Sequence, residues 1–532
     1  MADTMTAVKS RAWHDVVIER LQLLDRRALF LLVMVCAAVV YLQFEFWKQP
    51  SIGDRANWDY MAQVIVRGGI PYRDAVNIKT PLSGYIGAAA ILAGKPFGLR
   101  DLIAIRIACL LMSILIVGFT FLVANDYFKS RRIGVLAAMI ILSINVLGRA
   151  NSGGMQPKIP VVLFGLVSLW LVIKDRPFRA GFFGMLSALC WQPGLLFVGA
   201  AGLTMSGYLT RWRDLKWAKV TAGAALPLAA MLIYFWAAGA LKDFYIWNIE
   251  FNYSVYAPEG MRTLDSFFGR LFRMLKGTFS EEIVFFFFGV IGLLFVCVKE
   301  MRLAVKDGAK KILENAPRHA IVIAPLVYFA FCAVNIQGSG DLIPLLPFIA
   351  IFSAVAFVWL LDFATSQLQR KSSRLNWSLM NKAGFAVLFA WIFFFKVADV
   401  FIYRDDGETL QQQDAEVAEI VSNLRPGDKI FAHGLSQILV LSGLPNASKY
   451  FFLDRGKDIY LDRIEPGGFS GWLERLKAER PKVVAIERLK RVWYKDLFEE
   501  WLSRDYEQRE TPVFTYYVRK DEGQPSAGDV HQ

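Results

Sequence analysis

The chain has 532 residues, 55% of them hydrophobic, a mean hydropathy of +0.37 and a formal net charge of +13. Apolar runs of about 20 residues recur along it, which excludes a soluble globular domain and gives a polytopic membrane protein. The positive balance does not point to nucleic acid, because most Lys and Arg fall in short loops on one side of the predicted spans.

Residues 1–27 are polar, of mixed charge and without a signal-peptide pattern, and read as a cytoplasmic N-terminal segment. Apolar runs follow at 28–47, 101–124, 133–149, 158–173, 180–194, 195–210, 218–238, 283–298, 319–336, 341–363 and 383–402, about eleven spans in a membrane region covering 28–403. The fifth and sixth meet at Trp191-Gln192-Pro193-Gly194, where Pro and Gly interrupt the ladder. They read as two tilted helices or one broken helix. Cys36, Cys109, Cys190, Cys297 and Cys332 all fall inside predicted spans and read as small apolar residues, with no metal, redox or disulfide spacing.

With the N-terminus in the cytoplasm, the inside loops carry Lys129, Arg131 and Arg132, then Lys174, Arg176 and Arg179, and further clusters at 211–219, 299–311 and 370–374. The short outside loops at 150–157 and 336–340 are nearly free of basic residues. This asymmetry places the first loop, the 239–282 loop and the C-terminal region outside.

The first loop, 48–100, concentrates the chemistry. Asp54 and Trp58 lie one turn apart and share a helical face, whereas Asp59 points elsewhere. An interfacial Trp would hold such a helix at headgroup depth, and desolvation there would raise the pKa of Asp54 towards that of a general base. Asp54 before Arg-Ala-Asn-Trp is equally good N-cap chemistry. Gly68-Gly69-Ile70-Pro71 stops the helix. Asp74 then binds substrate hydroxyls, orients Lys79, or simply pairs with Arg73 and closes a turn. Lys79 precedes a second helix starting near Pro81, a position suited to a phosphate ligand or to a snorkelling lysine. Arg106 sits about one turn inside the second span. An Arg within a span costs roughly 2.5–3.5 kcal/mol, less near its end, so Arg106 either binds an anion or ties the loop to the bundle. Asp341, beside Gly338-Ser339-Gly340 and ahead of Pro344 and Pro347, starts the tenth span and is expected at the same cavity.

From about 404 the pattern changes to a small α/β domain, 404–522, with a tail at 523–532. Residues 410–424 read as an amphipathic helix, Lys429–His433, Ile438–Ser442, Lys449–Leu453, Val483–Ile486 and Val513–Val518 as strands, and Phe469–Arg480 as a helix. His433 reads as structural, since no partner acid or nucleophile spacing accompanies it. No internal repeat is visible.

Asp54 at the start of the first outside loop, then an aromatic, G-x-P-Y-x-D at 69–74, K-x-P-L at 79–82 and Arg106 early in the second span resemble the bacterial GT-C glycosyltransferases, in the glycosyltransferase 39-like group of protein O-mannosyltransferases and lipid A aminoarabinose transferases. Trp191-Gln192-Pro193, the Pro344/Pro347 span and the layout of many spans followed by an outside α/β domain extend the likeness. The resemblance implies an inner-membrane enzyme of cell-envelope glycan biosynthesis. It would transfer a sugar with inversion from a polyprenyl-phosphate donor to a periplasmic glycan, lipid or protein acceptor. It implies Asp54 as base, Lys79 as a donor-phosphate contact supported by Arg106, and Asp74 as an auxiliary acid. Asp59 and Asp341 are further candidates for substrate binding. Arg55 stands where the family often has a second acid, Thr80 replaces a proline, and Asp341 stands where an aromatic is common. A divalent metal is therefore unsupported by a pair of adjacent acids, and no cofactor is expected.

Two other classes share the layout. A transporter or flippase of lipid-linked saccharide should show repeats and charged or broken helices near mid-membrane, whereas the ionisable residues here gather at the outside ends of spans. An O-antigen polymerase or ligase would use arginines of a late outside loop, for which Arg262, Arg270 and Arg273 are present.

Overall fold

The computed structural model describes residues 25–208, 210, 212–256, 264–308, 313, 316–371, 376–397 and 407–520. Most of the expected N-terminal segment, the tail 523–532 and Arg262 lie outside them.

Helices fall in every expected span segment as far as it is described, with 398–402 of the last lying outside the described residues. Among the described residues six are long and apolar enough to cross a membrane, Asp101–Phe128, Lys216–Ala237, Ile283–Leu303, Ala316–Asn335, Ser339–Arg370 and Trp377–Phe394, with Lys158–Ile173 and Gln192–Met205 as shorter apolar helices. The expected 133–149 span is two helices, Arg131–Leu142 and Asn145–Ser152, bent by 58°. Ser143 and Ile144 interrupt the run, and the Ser143 hydroxyl bonds back to the Ile140 carbonyl at 2.8 Å. The 180–210 question resolves as two helices, Pro177–Cys190 and Leu195–Met205, with Trp191 extended between them. They fold back on each other, since a Cβ on Gly184 would meet Val198 at 3.0 Å.

Asp101–Phe128 is buried through most of its length and forms the centre of the main apolar core. Around it the helices pack through small residues. Pro177–Cys190 and Lys216–Ala237 approach so closely at Gly181 and Gly223 that a Cβ on either would lie 1.9 Å from a carbonyl oxygen of the other helix.

The C-terminal residues build a four-stranded sheet in the order β1-β2-β4-β3: β1 Ile430–His433, β2 Val483–Ile486, β3 Tyr506–Glu510 and β4 Thr515–Arg519. β1 and β2 run parallel, with Ile430 opposite Val483 and His433 opposite Ile486, and the chain crosses between them through helices Ser436–Ser442, Lys457–Ile464 and Gly468–Ala478. The other pairs are antiparallel. Ile438–Ser442, expected as a strand, is helical, because a short apolar run carries no period to distinguish the two. Lys449–Leu453, also expected as a strand, stays outside the sheet and spends its carbonyls elsewhere: Lys449 accepts from the Val76 amide at 3.0 Å and Phe451 from Gly434 at 2.9 Å. β3 was hidden by its charge, since four of its five residues are exposed at the sheet edge. The Leu410–Val421 helix begins as expected, with a capping box between Thr409 and Gln412.

This region sits directly on the first loop. The Ser51 amide donates to Gln413 Oε1 (2.8 Å), Ser436 Oγ to Asn57 Oδ1 (2.6 Å), the Asn446 amide to Tyr60 OH (2.9 Å) and Gln63 Nε2 to the Val440 carbonyl (3.1 Å). Arg100 pairs bidentately with Asp414 at 2.8 Å. In consequence Ala56–Val64 is buried without a break, and Trp58 packs in the core. The expected surface helix with an interfacial Trp anchor is instead enclosed between the bundle and the C-terminal residues.

Candidate active site

Helix Gly53–Val66 begins after an extended Ile52, with Gly53 at φ 55°. Asp54 is thus inside the first turn and not the N-cap, and no side chain caps this end. Its carboxylate turns into a cavity of about 630 Å³ that Lys79, Lys158, Trp191, Tyr256, Asp341 and Arg455 also line. Lys79 Nζ lies 3.6 Å from Asp54 Oδ2.

The backbone carrying Lys79 is fixed from three directions. Tyr72 OH donates to the Lys79 carbonyl at 2.7 Å, while Gln192 Nε2 and Asn252 Nδ2 both donate to the Ile78 carbonyl, at 2.8 and 2.6 Å. Trp191-Gln192-Pro193 therefore contributes twice: Gln192 positions the lysine segment, and the Trp191 ring lies 5.1 Å from Lys158 Nζ.

On the opposite wall, Asp341 organises both a loop and a cation. Its Oδ2 accepts from the Gln337 and Gly338 amides at 2.8 and 3.1 Å, and its Oδ1 faces Lys158 Nζ at 3.0 Å. Lys158 begins an otherwise uncharged helix, Lys158–Ile173. A lysine at a helix N-terminus adds to the positive end of the dipole rather than offsetting it, so the pair with Asp341 is what retains it there.

Three more cations come from the C-terminal region: Arg455, Lys457 and Arg488. Arg455 Nη1 bonds to Gln337 Oε1 and reaches Tyr256 OH at 3.4 Å. Buried Lys457 pairs with buried Asp454 at 3.6 Å. Burial holds Lys457 down at about 8, although Asp454 opposes the shift.

Asp54 titrates opposite to the sequence expectation. The neighbouring Lys79 charge outweighs desolvation and, with help from Lys158, Arg455 and Lys457, holds the carboxyl at about 2. Lys79 is itself lowered, chiefly by burial, with Asp54 opposing. At that value Asp54 is an ionised carboxylate and a weak base.

Asp54, Lys79 and Asp341 therefore share one cavity. Asp59, Asp74 and Arg106 lie elsewhere. Asp74 Oδ2 accepts from the Ile70 amide at 2.7 Å and pairs with Arg73, closing the turn after the Gly-Gly stop. Arg106, fully buried, donates to the carbonyls of Phe46 (2.7 Å), Pro50 (3.2 Å) and Gly153 (3.4 Å), tying the start of the first loop and the 150–157 loop to the second span. Asp59 is fully buried. Its Oδ1 accepts from the Met155 amide at 2.8 Å, Oδ2 has no hydrogen-bond partner among the described residues, and burial pushes the carboxyl up to about 7. Gly154, at φ 129°, leaves the room Asp59 needs, since a Cβ there would lie 2.2 Å from Oδ2. Asp59 thereby fixes the turn that leads to Gln156 and Lys158.

The sequence reading missed Lys158, Arg455, Lys457 and Arg488. Lys158 carried a signal, as the single charge at the head of a long apolar run. The others carried none, because one basic residue in a polar region is ordinary. Among the described residues no group of three or more His, Cys, Asp or Glu side chains is placed to hold a metal ion.

No protein-family model matches the chain, and no curated protein matches its sequence. Solved structures do match. ArnT from Cupriavidus metallidurans, in a crystal structure with bound undecaprenyl phosphate, superposes with a TM-score of 0.59 at 12% identity, covering 94% of this chain and 99% of that one. Its apo structure gives 0.56 at 12% identity, over 93% and 98%. The archaeal oligosaccharyltransferase AglB from Archaeoglobus fulgidus, in complex with an inhibitory peptide and a dolichol-phosphate, gives 0.52 at 13% identity, over 94% and 75%. The chain is a membrane protein with the GT-C glycosyltransferase fold.

Proposed function

We propose that this protein is a membrane glycosyltransferase that moves a sugar from a polyprenyl-phosphate donor to a hydroxyl-bearing acceptor with inversion, in a cavity on the outer face of the bacterial inner membrane. The observation that carries the proposal is the pairing of Asp54 with Lys79 in one cavity, within a fold whose ArnT and AglB neighbours are described with undecaprenyl phosphate and a dolichol-phosphate. The charge distribution of the loops supports the orientation.

In this reading the donor phosphate sits against Lys79, with Lys158 beside it. The acceptor oxygen attacks the anomeric carbon from the face opposite the phosphate, and its proton passes to Asp54. The bond from the anomeric carbon to the phosphate oxygen breaks, the oxygen keeps the electron pair, and polyprenyl phosphate leaves with one more negative charge, which the lysines offset. The low pKa of Asp54 also finds a use. A bound phosphate shares the Lys79 charge and so raises the proton affinity of Asp54 when the donor is in place.

The test is transfer by the purified full-length protein, using a panel of polyprenyl-phosphate sugars and candidate glycan, lipid and protein acceptors. Asp54→Asn should lower kcat by about 10³-fold with donor binding retained. Full activity in a folded Asp54→Asn variant rejects the base assignment. Movement of lipid-linked sugar across vesicles without formation of a glycosidic bond rejects the enzyme in favour of a transporter.

A further inference from the structure

The cavity holds more positive charge than one donor phosphate requires. Five cations line it, Lys79, Lys158, Arg455, Lys457 and Arg488, against two carboxylates, Asp54 and Asp341. The two carboxylates are taken by Lys79 and Lys158. Lys457 has its own buried partner in Asp454. The arginines do not balance: among the described residues Arg455 makes no ion pair, and Arg488 meets the adjacent Glu487 at 3.5 Å.

Their placement is unusual in two further respects. Both have left-handed backbones, with φ 59° at Arg455 and φ 62° at Arg488. Such a conformation costs a non-glycine residue free energy and is retained where the surroundings require the side chain in one place. Both also lie on segments joined to the carboxyl ends of the parallel strands. Arg488 is the second residue after β2, and Arg455 is on the segment that β1 holds through the Gly434–Phe451 hydrogen bond and through His433 Nε2, which accepts from the Leu453 amide at 3.0 Å. In α/β sheets this is the edge where ligands bind. Here it opens onto the same cavity as Lys79.

We propose that Arg455 and Arg488 form a second anion subsite, which takes a phosphoryl or carboxylate group of a glycan substrate while Lys79 holds the donor phosphate. The proposal rests on the assignment of Lys79 above. The anion has two chemical sources: an acidic group on the acceptor, or the distal phosphate of a diphosphate-linked donor. Both present an oxyanion that Arg recognises through paired N–H donors.

The experiment uses the full-length protein in detergent with three probes, undecaprenyl phosphate, undecaprenyl diphosphate and inorganic phosphate. With undecaprenyl phosphate saturating, inorganic phosphate should still bind as a separate event in calorimetry. Arg488→Gln and Arg455→Gln should each weaken that event at least tenfold and leave undecaprenyl phosphate binding unchanged. Lys79→Ala should do the reverse. Arg488 is on an exposed turn, so its variant tests the site even if Arg455→Gln perturbs the contact with Gln337. An acceptor anion predicts equal affinity for the two lipids. A donor diphosphate predicts at least tenfold tighter binding of undecaprenyl diphosphate, lost in the arginine variants, and exclusion of inorganic phosphate. Competition between inorganic phosphate and undecaprenyl phosphate for one site, or arginine variants that change nothing, would overturn the second subsite. Loss of lipid binding in Lys79→Ala stands apart as the check on the donor site.

Discussion

The ion pair between Asp54 and Lys79 makes the strength of the base depend on what else is bound. With Asp54 held at about 2, the free protein keeps it ionised throughout the neutral and mildly acidic range. kcat/KM for the donor should therefore show no acid limb from this group above about pH 4. On the proposed function the donor phosphate takes part of the Lys79 charge, so the acid limb of kcat should lie at least about one pH unit higher. Lys79→Ala should collapse the difference and raise donor KM by ~10- to 100-fold, the value of a charge-assisted hydrogen bond. Coincident limbs in wild type count against the coupling. Asp59 offers a contrasting titration. Its folded pKa, about 7, is above the usual 3.8, so its contribution to stability is fully present below about pH 3.8 and lost as pH rises through about 7. Asp59→Asn keeps an acceptor for the Met155 amide and removes the buried charge. The apparent melting temperature above pH 7 should rise by about 2–4 °C and its slope between pH 5 and 8 should flatten; an unchanged slope would show that Asp59 does not titrate there.

At the scale of elements, the sharpest constraint is the crossing of Pro177–Cys190 with Lys216–Ala237. Because Gly181 and Gly223 each abut the backbone of the other helix, neither side can yield by a rotamer change. Gly223→Val should cost several kcal/mol by forcing the helices apart, roughly the upper range for overpacking, and should appear as loss of the monodisperse peak in size-exclusion chromatography. In the sheet, His433 donates from Nδ1 to the Glu487 carbonyl at 3.2 Å and accepts at Nε2, so the neutral ring joins β1, the β2 exit and the Leu453 segment. Burial lowers it to about 4 from 6.5. This stability is present above pH 6.5 and is lost as pH falls through about 4. Proteolysis of the C-terminal region should therefore accelerate several-fold between pH 7 and 5, and a flat profile would show another group in control. The same elements explain what could be read from the residues alone. Long apolar runs located the helices, because length and hydropathy suffice in a bilayer. Ile438–Ser442 and Lys449–Leu453 were misassigned because four or five apolar residues fit either period and tertiary hydrogen bonds decide. Asp54, Lys79 and Asp341 stood out as charges beside spans with turn residues around them. Lys158, Arg455 and Arg488 come from segments far apart in the chain, and no local pattern announces that they converge.

At the scale of the whole molecule, the helix bearing Asp54 is the joint between bundle and sheet. Ser51, Asn57, Tyr60 and Gln63 are all bonded to residues beyond 407. Gln413→Ala should therefore loosen this contact, leaving the Ser51 amide and carbonyl without the partners that Gln413 supplies at 2.8 and 3.2 Å. The expected result is a loss of transfer of about five- to twelvefold, corresponding to about 1–1.5 kcal/mol for two weakened hydrogen bonds, together with faster hydrogen exchange across 53–66. Unaltered exchange there would mean that the joint does not depend on Gln413.

That joint also bears on how related chains could be recombined. A natural way to retarget such a protein is to graft the C-terminal sheet of one homologue onto the spans of another, cutting in the polar stretch before Leu410. The cut looks clean along the chain, but it severs a surface whose other half is written 362 to 386 residues earlier, at the helix that carries Asp54. A chimera that moves 407–520 alone would present mismatched side chains to Asn57, Tyr60 and Gln63 and tilt Asp54 away from Lys79. One that exchanges 51–67 together with 407–520 keeps the two halves matched, so the smallest transplantable unit is discontinuous in sequence.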